Sequence, residues 1–469
     1  MNKWAISKSA NLLLFKMKRS KKAPEIHDGV NFRSGRRLFN VDYAMNATIT
    51  NLTGSTYVAA LITYLGGTDS LIGILGSVTM LLTPLQIAAA YLFDRLIHRK
   101  PLCVLFNGLS KFLLGFMFLV PSFWENPSNS GLALMVASFT VSQVFYNFQL
   151  PGATNWLVDL VPEAIRSRFF ANRESLSLIL GAIFMLLSGK LVDYLQAVFG
   201  SVHAFAFIGI TVIILGVIDA LALILCGEPK TKQSAMKELV STDDSPASGD
   251  VSQKTHKSPF ALLLEPFHYK SFLIILLLSV LWNISSCFGS PFSATYQVNN
   301  LHMSFTYIMT LSVISMVIRI FLTPLAGRIA GKIGYTLILG ISILLIGSHY
   351  VLWAFTVPEN MTTFLPALFI VSAVGFAGQN LCLFNMQVNS MPEEIRTTCF
   401  SVMNTISGVS GFLSTLIASF ILDNLDANSF TFLGIPFSGL QVLFLVTAIL
   451  MTLCGLFTFS LLKRKDLKA

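Results

Sequence analysis

Asp42, Lys111, Asp219 and Arg319 are charged residues set in stretches of sequence that are otherwise hydrocarbon. Ionised groups are expensive at membrane depth, so each is a functional candidate by default. An acid with a displaceable cationic partner is how a proton-binding site is built, because burial disfavours the carboxylate and a nearby cation favours it. Asp42 lies only five residues past Arg37, so it reads either as a coupling carboxylate or as a group at the water interface. Arg319 has three readings: an anchor for an anionic group on a solute, a partner of Asp42 across an interface, or a side chain snorkelling to the boundary.

Neutral polar residues fall into stripes around these charges. Asp42, Asn46, Thr50, Thr53, Thr56 and Tyr57 lie within about a third of a turn of one line at roughly 100° per residue. Ser279, Asn283, Ser286, Ser290, Ser293 and Gln297 make a second, narrower stripe, with Trp282 beside it. In hydrocarbon such stripes must face protein or water. They read either as walls of a polar path or as helix packing through small hydroxyls. Gln143, Asn147 and Gln149, and later Gln379, Asn380 and Asn385, add amides, which both donate and accept and so suit hydroxyl-rich or amide-bearing solutes.

The elements that must hold these residues are membrane spans. The 469-residue chain is 54% hydrophobic, only 12% charged, and has a mean hydropathy of +0.69. A soluble domain carries about 25% charged residues. The deficit falls in apolar runs of roughly 20 residues, the length that crosses a hydrocarbon core. Twelve spans are expected, near 40–65, 69–93, 101–122, 131–157, 172–196, 203–226, 271–297, 305–327, 335–357, 364–389, 397–422 and 438–462. If both termini are cytoplasmic, all but three of the 32 lysines and arginines fall on the inner side, and Lys111, Lys190 and Arg319 lie within spans. That positive-inside pattern accounts for the net charge of +9 without a nucleic-acid partner. The six cysteines sit in spans or at their inner ends, so no disulfide framework is implied, and no Cys/His spacing suggests a metal site. The N-terminal apolar run Asn11–Phe15 is too short for a cleavable signal, so Trp4–Phe15 is expected either to lie on the inner membrane surface or to form a basic tail.

One segment occurs twice, 230 residues apart. Asn155-Trp-Leu-Val-Asp-Leu-Val-Pro-Glu-Ala-Ile-Arg166 is echoed by Asn385-Met-Gln-Val-Asn-Ser-Met-Pro-Glu-Glu-Ile-Arg396. At that offset Gln149 meets Gln379, Gly181 meets Gly411 and Asp193 meets Asp423, with no gap over about 45 positions. The polar stretch 227–270, with Ser241–Ser252 at its centre, has the composition of a linker and divides six spans from six. The organisation expected is a basic cytoplasmic tail (1–38), a six-helix bundle (39–226), a cytoplasmic linker (227–270), a second bundle (271–462) and a short tail (463–469). Duplicated halves are the construction of many secondary transporters.

On these features the chain resembles the major facilitator superfamily. The superfamily's loop between spans two and three has the form Gly-x-x-x-Asp-Arg-x-Gly-Arg-Arg. Asp94-Arg95-Leu96-Ile97-His98-Arg99-Lys100 keeps the acid and the basic end but has Ala90 and Ile97 where glycine is expected. The second copy, Gly327-Arg-Ile-Ala-Gly331-Lys332-Ile-Gly334, keeps glycines and base but lacks the acid; both copies follow Thr-Pro-Leu. The resemblance implies an all-α, twelve-helix fold of two pseudo-symmetric bundles. It implies a cytoplasmic gate at Asp94 and Arg95, with Asp159, Glu163 and Arg166 beside them and Gly331 and Lys332 in the second copy. It also places helices three and six side by side, which allows Lys111 and Asp219 to pair.

The function expected is secondary transport of a small solute by alternating access. Protons are the simplest driving ion, and the solute is expected to be a sugar or another hydroxyl-bearing molecule. Efflux of amphipathic drugs or lipids is the alternative, although the span-five Gly-x-x-x-Gly-Pro of drug antiporters is missing from Ser177–Gly189. A transport-inactive sensor or scaffold is the alternative from another class. Neither a phosphate-binding loop nor a catalytic constellation is evident, so an enzyme is not expected and no cofactor is implied. The resemblance further implies a monomer in a bacterial inner membrane.

Overall fold

The computed structural model describes residues 26–27, 30–96, 98–123, 128–228, 264–392, 395–425, 430–432 and 435–463. Backbone donors and acceptors have no water to bond in a bilayer, so the apolar runs become helices, which satisfy them internally. The helices are α1 (Phe32–Leu52), α2 (Ser55–Tyr64), α3 (Asp69–Leu81), α4 (Thr83–Arg95), α5 (Lys100–Leu119), α6 (Asn129–Leu160), α7 (Glu163–Phe199) and α8 (Ser201–Leu225). After the linker come α9 (Lys270–Gly289), α10 (Phe305–Ile333), α11 (Tyr335–Ala354), α12 (Met361–Asn389), α13 (Arg396–Asn424) and α14 (Gly439–Ser460). Two short antiparallel hairpins, Ile26–His27 with Val30–Asn31 and Phe430–Phe432 with Ile435–Phe437, are the strands among the described residues.

Eleven stretches are long and apolar enough to cross a membrane among the described residues. The twelfth of the expected spans is the first, which breaks at Thr53–Gly54 into α1 and α2. Its polar stripe and this break keep it from being one long apolar helix. Span two is α3 followed by α4, and span seven extends α9 through tight turns to Asn300. Side-chain caps fix several starts: Thr68 accepts from the Leu71 amide, Ser128 from Gly131 and Ser304 from Tyr307, while Ser438 and Gln441 form a capping box on α14. Residues 163–171, which fall between two expected spans, are instead the start of α7, which begins just after Pro162. The expected membrane-surface segment Trp4–Phe15 and the centre of the linker lie outside the described residues.

The two halves repeat one packing scheme. In the first, α5 packs on α6 and α8, α1 on α7 and α8, and α4 on α6. In the second, α11 packs on α12 and α14, α9 on α13 and α14, and α10 on α12. The halves meet where α3 lies on α13 and where α7 lies on α10. Large apolar side chains such as Ile179, Leu187, Ile214, Leu221 and Phe420 point outward, as lipid contact requires.

Small residues set the closest crossings, as membrane helix packing favours. A Cβ on Gly115 of α5 would sit 2.7 Å from the Gly209 carbonyl of α8, and a Cβ on Gly209 would sit 2.7 Å from the Gly115 carbonyl. Neither neighbour is a flexible side-chain tip. Gly115→Leu is therefore expected to destabilise the first bundle by about 1–3 kcal/mol through overpacking. The check is a lowered melting temperature in detergent; an unchanged one would refute the crossing.

Candidate functional site

The α5–α8 crossing brings ionisable groups together at its near-terminal half. Asp219 on α8 is fully buried and Lys111 on α5 is 3% exposed. Asn107, one turn before Lys111, donates from Nδ2 to Asp219 Oδ2 at 2.5 Å. Lys111 Nζ donates to Asn46 Oδ1 on α1, and Asn46 Nδ2 donates to Asp42 Oδ1 at 3.2 Å. The carboxyls of Asp42 and Asp219 lie within hydrogen-bonding reach of each other. Asp219 Oδ1 is buried and receives no N–H or O–H donor. The ammonium of Lys111 also sits 4.9 Å from the centre of the Tyr146 ring on α6. A Cβ on Gly216 would meet Lys111 Cβ at 2.7 Å, so glycine at 216 makes the room in which the lysine lies.

This arrangement differs from a simple Lys111–Asp219 ion pair. Asn46 bonds both Lys111 and Asp42, and Lys111 makes no salt bridge with either acid. A second cation, Arg173 on α7, stands near Asp42 with its guanidinium 3.9 Å from the Tyr43 ring centre; Tyr43 Oη donates to Glu174 Oε2 at 2.5 Å. Three acids (Asp42, Asp219, Glu174) thus share the region with two bases (Lys111, Arg173), an excess of one negative charge when all are ionised.

Lys111 also lines a cavity of about 280 Å³. Its walls come from α1, α2, α3, α5 and α6, and its polar lining consists of Lys111 with Thr50, Thr53, Ser55, Thr79, Gln143 and Tyr146. Lys111 is the one lysine, arginine, histidine or acid of that lining. The break at Thr53–Gly54 brings backbone to the cavity wall; Thr50 and Thr53 bond back to the carbonyls of Asn46 and Ile49. The span-one stripe therefore reaches from the acids to the cavity.

The span-seven stripe does not line this cavity. Asn283 donates to the Ser279 carbonyl at 2.9 Å, and Ser279 Oγ receives Gln387. Gln297 is buried near the far end of that span. The repeat-related Gln149 and Gln379 are both buried, each with an Oε1 that has no donor. Asn380 is exposed. Arg319 is half-buried on α10 and makes no salt bridge among the described residues; Asp42 is engaged within the other half, so the cross-interface pairing of Arg319 with Asp42 does not form.

At the end carrying the basic loops, Arg99 donates to Asp159 Oδ2 at 3.2 Å, and the Arg99 amide to Glu228 Oε1 at 2.6 Å. Lys100 Nζ reaches the carbonyls of Ile224 and Cys226, tying the loop to the end of α8. These are contacts within the first half. Asp94 and Arg95 close α4 and Arg166 lies in the first turn of α7, but their side chains are outside the described residues, as is that of Glu163. Gly331 and Lys332 are exposed in the last turn of α10, where a cation suits the helix dipole.

The opposite end is fastened by residues the repeat had already paired. Asp193 on α7 accepts the first amides of α10, Phe305 N–H at 2.9 Å and Thr306 N–H at 2.7 Å. Its counterpart Asp423 on α13 accepts Ser70 Oγ at 3.0 Å, in the first turn of α3. Each half thus clasps the start of the other's second span. Asn299 bridges Asp69 and Thr63 there, and Tyr57 stacks on Phe305 with ring centres 5.1 Å apart.

Sequence reasoning missed Asn107, Tyr146 and Arg173 in the cluster and Glu228 beside the loop. Asn107 was legible in principle, since it sits one helical turn from Lys111.

A repeated bundle of membrane-length helices, fastened at one end and enclosing a polar cavity with a buried charge cluster, defines a secondary transporter. The chain belongs to the Major Facilitator Superfamily, whose model matches residues 43–415. No curated protein matches it in sequence. Its fold is similar to that of a variant of the nucleoside transporter NupG, with a TM-score of 0.67, 14% identity, and coverage of 91% of this chain and 100% of that one. It is also similar to the xylose transporter XylE from E. coli, at TM-score 0.62 and 13% identity over 93% of this chain and 98% of that one. A POT family transporter in complex with 5-aminolevulinic acid matches at TM-score 0.62 and 15% identity, over 93% and 97%.

Asp193→Ala and Asp423→Ala are each expected to weaken closure of that end by about 1 kcal/mol, roughly fivefold in the open-to-closed ratio. Spin labels at Ala197 and Asn424 would report longer distances in the double variant. An unchanged distance distribution would show that the clasps do not hold the halves together.

Proposed function

We propose that this transporter carries a small hydroxyl-bearing solute together with protons, exchanging the protons at Asp42 and Asp219. The observation that carries the reading is the path from Asp42, beside Asp219, through Asn46 to Lys111, which lines the cavity. Two acids in contact with limited cationic compensation take up or release a proton readily, since like charges disfavour double ionisation. Lys111 lies between the acids and the solute space, so the charge state of one is felt in the other. Threonines 50, 53 and 79, Ser55, Gln143 and Tyr146 supply hydroxyl and amide partners suited to a polyhydroxylated solute. The volume lies at the small end of the roughly 300–1,000 Å³ typical of ligand pockets, which favours a solute of sugar size over a large amphiphile.

In this reading the far-end clasps at Asp193 and Asp423 hold one state of an alternating-access cycle, and the basic loops gate the other. The positive-inside pattern puts those loops and both termini in the cytoplasm, and the superfamily's bacterial members suggest an inner-membrane location for a monomer. The clasped state then faces away from the exterior.

The test is solute-dependent acidification of proteoliposomes loaded with a pH dye, using sugars, sugar acids, nucleosides and short peptides. The wild type is expected to acidify the lumen with one of them. Asp219→Asn is expected to lower proton entry at least about tenfold, a loss of 1.4 kcal/mol or more, while solute exchange down its own gradient continues. Solute entry without acidification in the wild type would refute proton coupling.

A further inference from the structure

Lys111 has bonding capacity that its protein contacts leave unused. An ammonium has three donors; among the described residues Lys111 uses one, to Asn46, lies by the face of Tyr146, and has Asp219 and Asp42 nearby without a salt bridge to either. It is nevertheless buried to 3% exposure and lines the cavity. A buried cation facing a solute space with donors to spare is an anion anchor. The cavity offers it no competing acid, because Asp42 and Asp219 do not line that space.

We infer that the transported solute is a small hydroxylated monocarboxylate, held by its carboxylate on Lys111, and that it moves with one proton so that no net charge crosses the membrane. This rests on the proton-coupled reading above and adds the substrate's charge.

The single negative charge follows from the local balance. Arg173 and Glu174 are adjacent and offset each other. Lys111 is left facing Asp42 and Asp219, and one shared proton makes that trio neutral. Tyr43 and Tyr146 are phenols, and Cys103 and Cys226, which also sense Asp42, are thiols; all four are neutral near pH 7. A monoanion arriving on Lys111 restores one excess negative charge in a low-dielectric site. Uptake of a second proton by the acid pair removes it. A dianion would need a further cation, and the cavity lining contains none. An isolated guanidinium fork, which would favour phosphate by bidentate bonding, is also missing from that lining. The hydroxyls of Thr50, Thr53 and Thr79 and the amide of Gln143 would receive the solute's own hydroxyl groups.

The reading is tested with matched pairs: glucuronate against glucose, lactate against propane-1,2-diol, and glucose 6-phosphate as a dianion. Purified full-length protein is scanned for thermal stabilisation, since a ligand bound to the native state raises its melting temperature. A carboxylate is expected to stabilise it at least tenfold more potently than its neutral partner or the phosphate. Lys111→Met should abolish that discrimination and Lys111→Arg should keep it. Because Lys111→Met could also disturb folding, transport in proteoliposomes supplies an independent readout. Carboxylate uptake driven by a pH gradient should be unchanged when a potassium diffusion potential of either sign is imposed.

Neutral solutes binding as well as the acids, or uptake that follows the membrane potential, would overturn the monoanion and leave proton coupling standing. Carboxylate uptake with no proton movement would overturn both. Retention of carboxylate preference in Lys111→Met, or stabilisation by no member of the panel, would likewise overturn the assignment of the anchor.

Discussion

The burial of charge in hydrocarbon is the constraint on which the rest of the site depends. A carboxylate or ammonium at membrane depth is tolerated only when it faces protein, water or an opposite charge. Asp219 meets that demand with Asn107 and the field of Lys111; Lys111 meets it with Asn46 and the Tyr146 ring. The glycines at 115, 209 and 216 follow from it, since they let α5 and α8 approach closely enough to share the cluster. Asn46 joins the two charges. One amide accepts from the lysine and donates to the acid, so a movement of either group is transmitted through a single side chain.

Duplication gives the molecule a second constraint. A rocking pair of bundles needs contacts that can be made and broken without leaving polar groups stranded in lipid. Carboxylates that grip helix starts suit that purpose, because water can replace their amide and hydroxyl partners when the halves part. Asp193 and Asp423 occupy equivalent places and each reaches across to the second span of the other half. The pseudo-symmetric clasp is a consequence of the repeat. The cavity is not symmetric: its walls belong to the first half, while the equivalent stripe on span seven is engaged in bonds within the second. The halves share a common scaffold and differ in where their polar stripes are engaged.

Much of this architecture was legible because lipid enforces simple rules. Apolar length gave the spans, and the 230-residue offset gave the two halves. Agreement failed at the first span, where a polar stripe and Gly54 break the helix, and at 163–171, which lie between two expected spans but open α7. Lys111, Asp42, Asn46 and Asp219 stood out as polar residues in apolar runs. Their partners Asn107 and Tyr146 did not, because amides and phenols are common enough in membrane helices to pass unremarked. Arg319 stood out equally and joins no cluster among the described residues.

The sequence by itself determined the membrane class, the duplicated plan and the identity of the costly charges, because each follows from the free energy of placing a residue type in hydrocarbon. It did not determine which charges meet. Contact between Asp42 and Asp219 depends on α1 and α8 packing at one depth, and the Lys111–Asn46 bond depends on the space left by Gly216. The side of the cavity, and the crossing of Asp193 and Asp423 to the opposite half, were likewise decided by the tertiary structure. Helical periodicity fixes the face on which a residue lies, whereas the neighbour it meets is fixed by the packing of helices far apart in the chain.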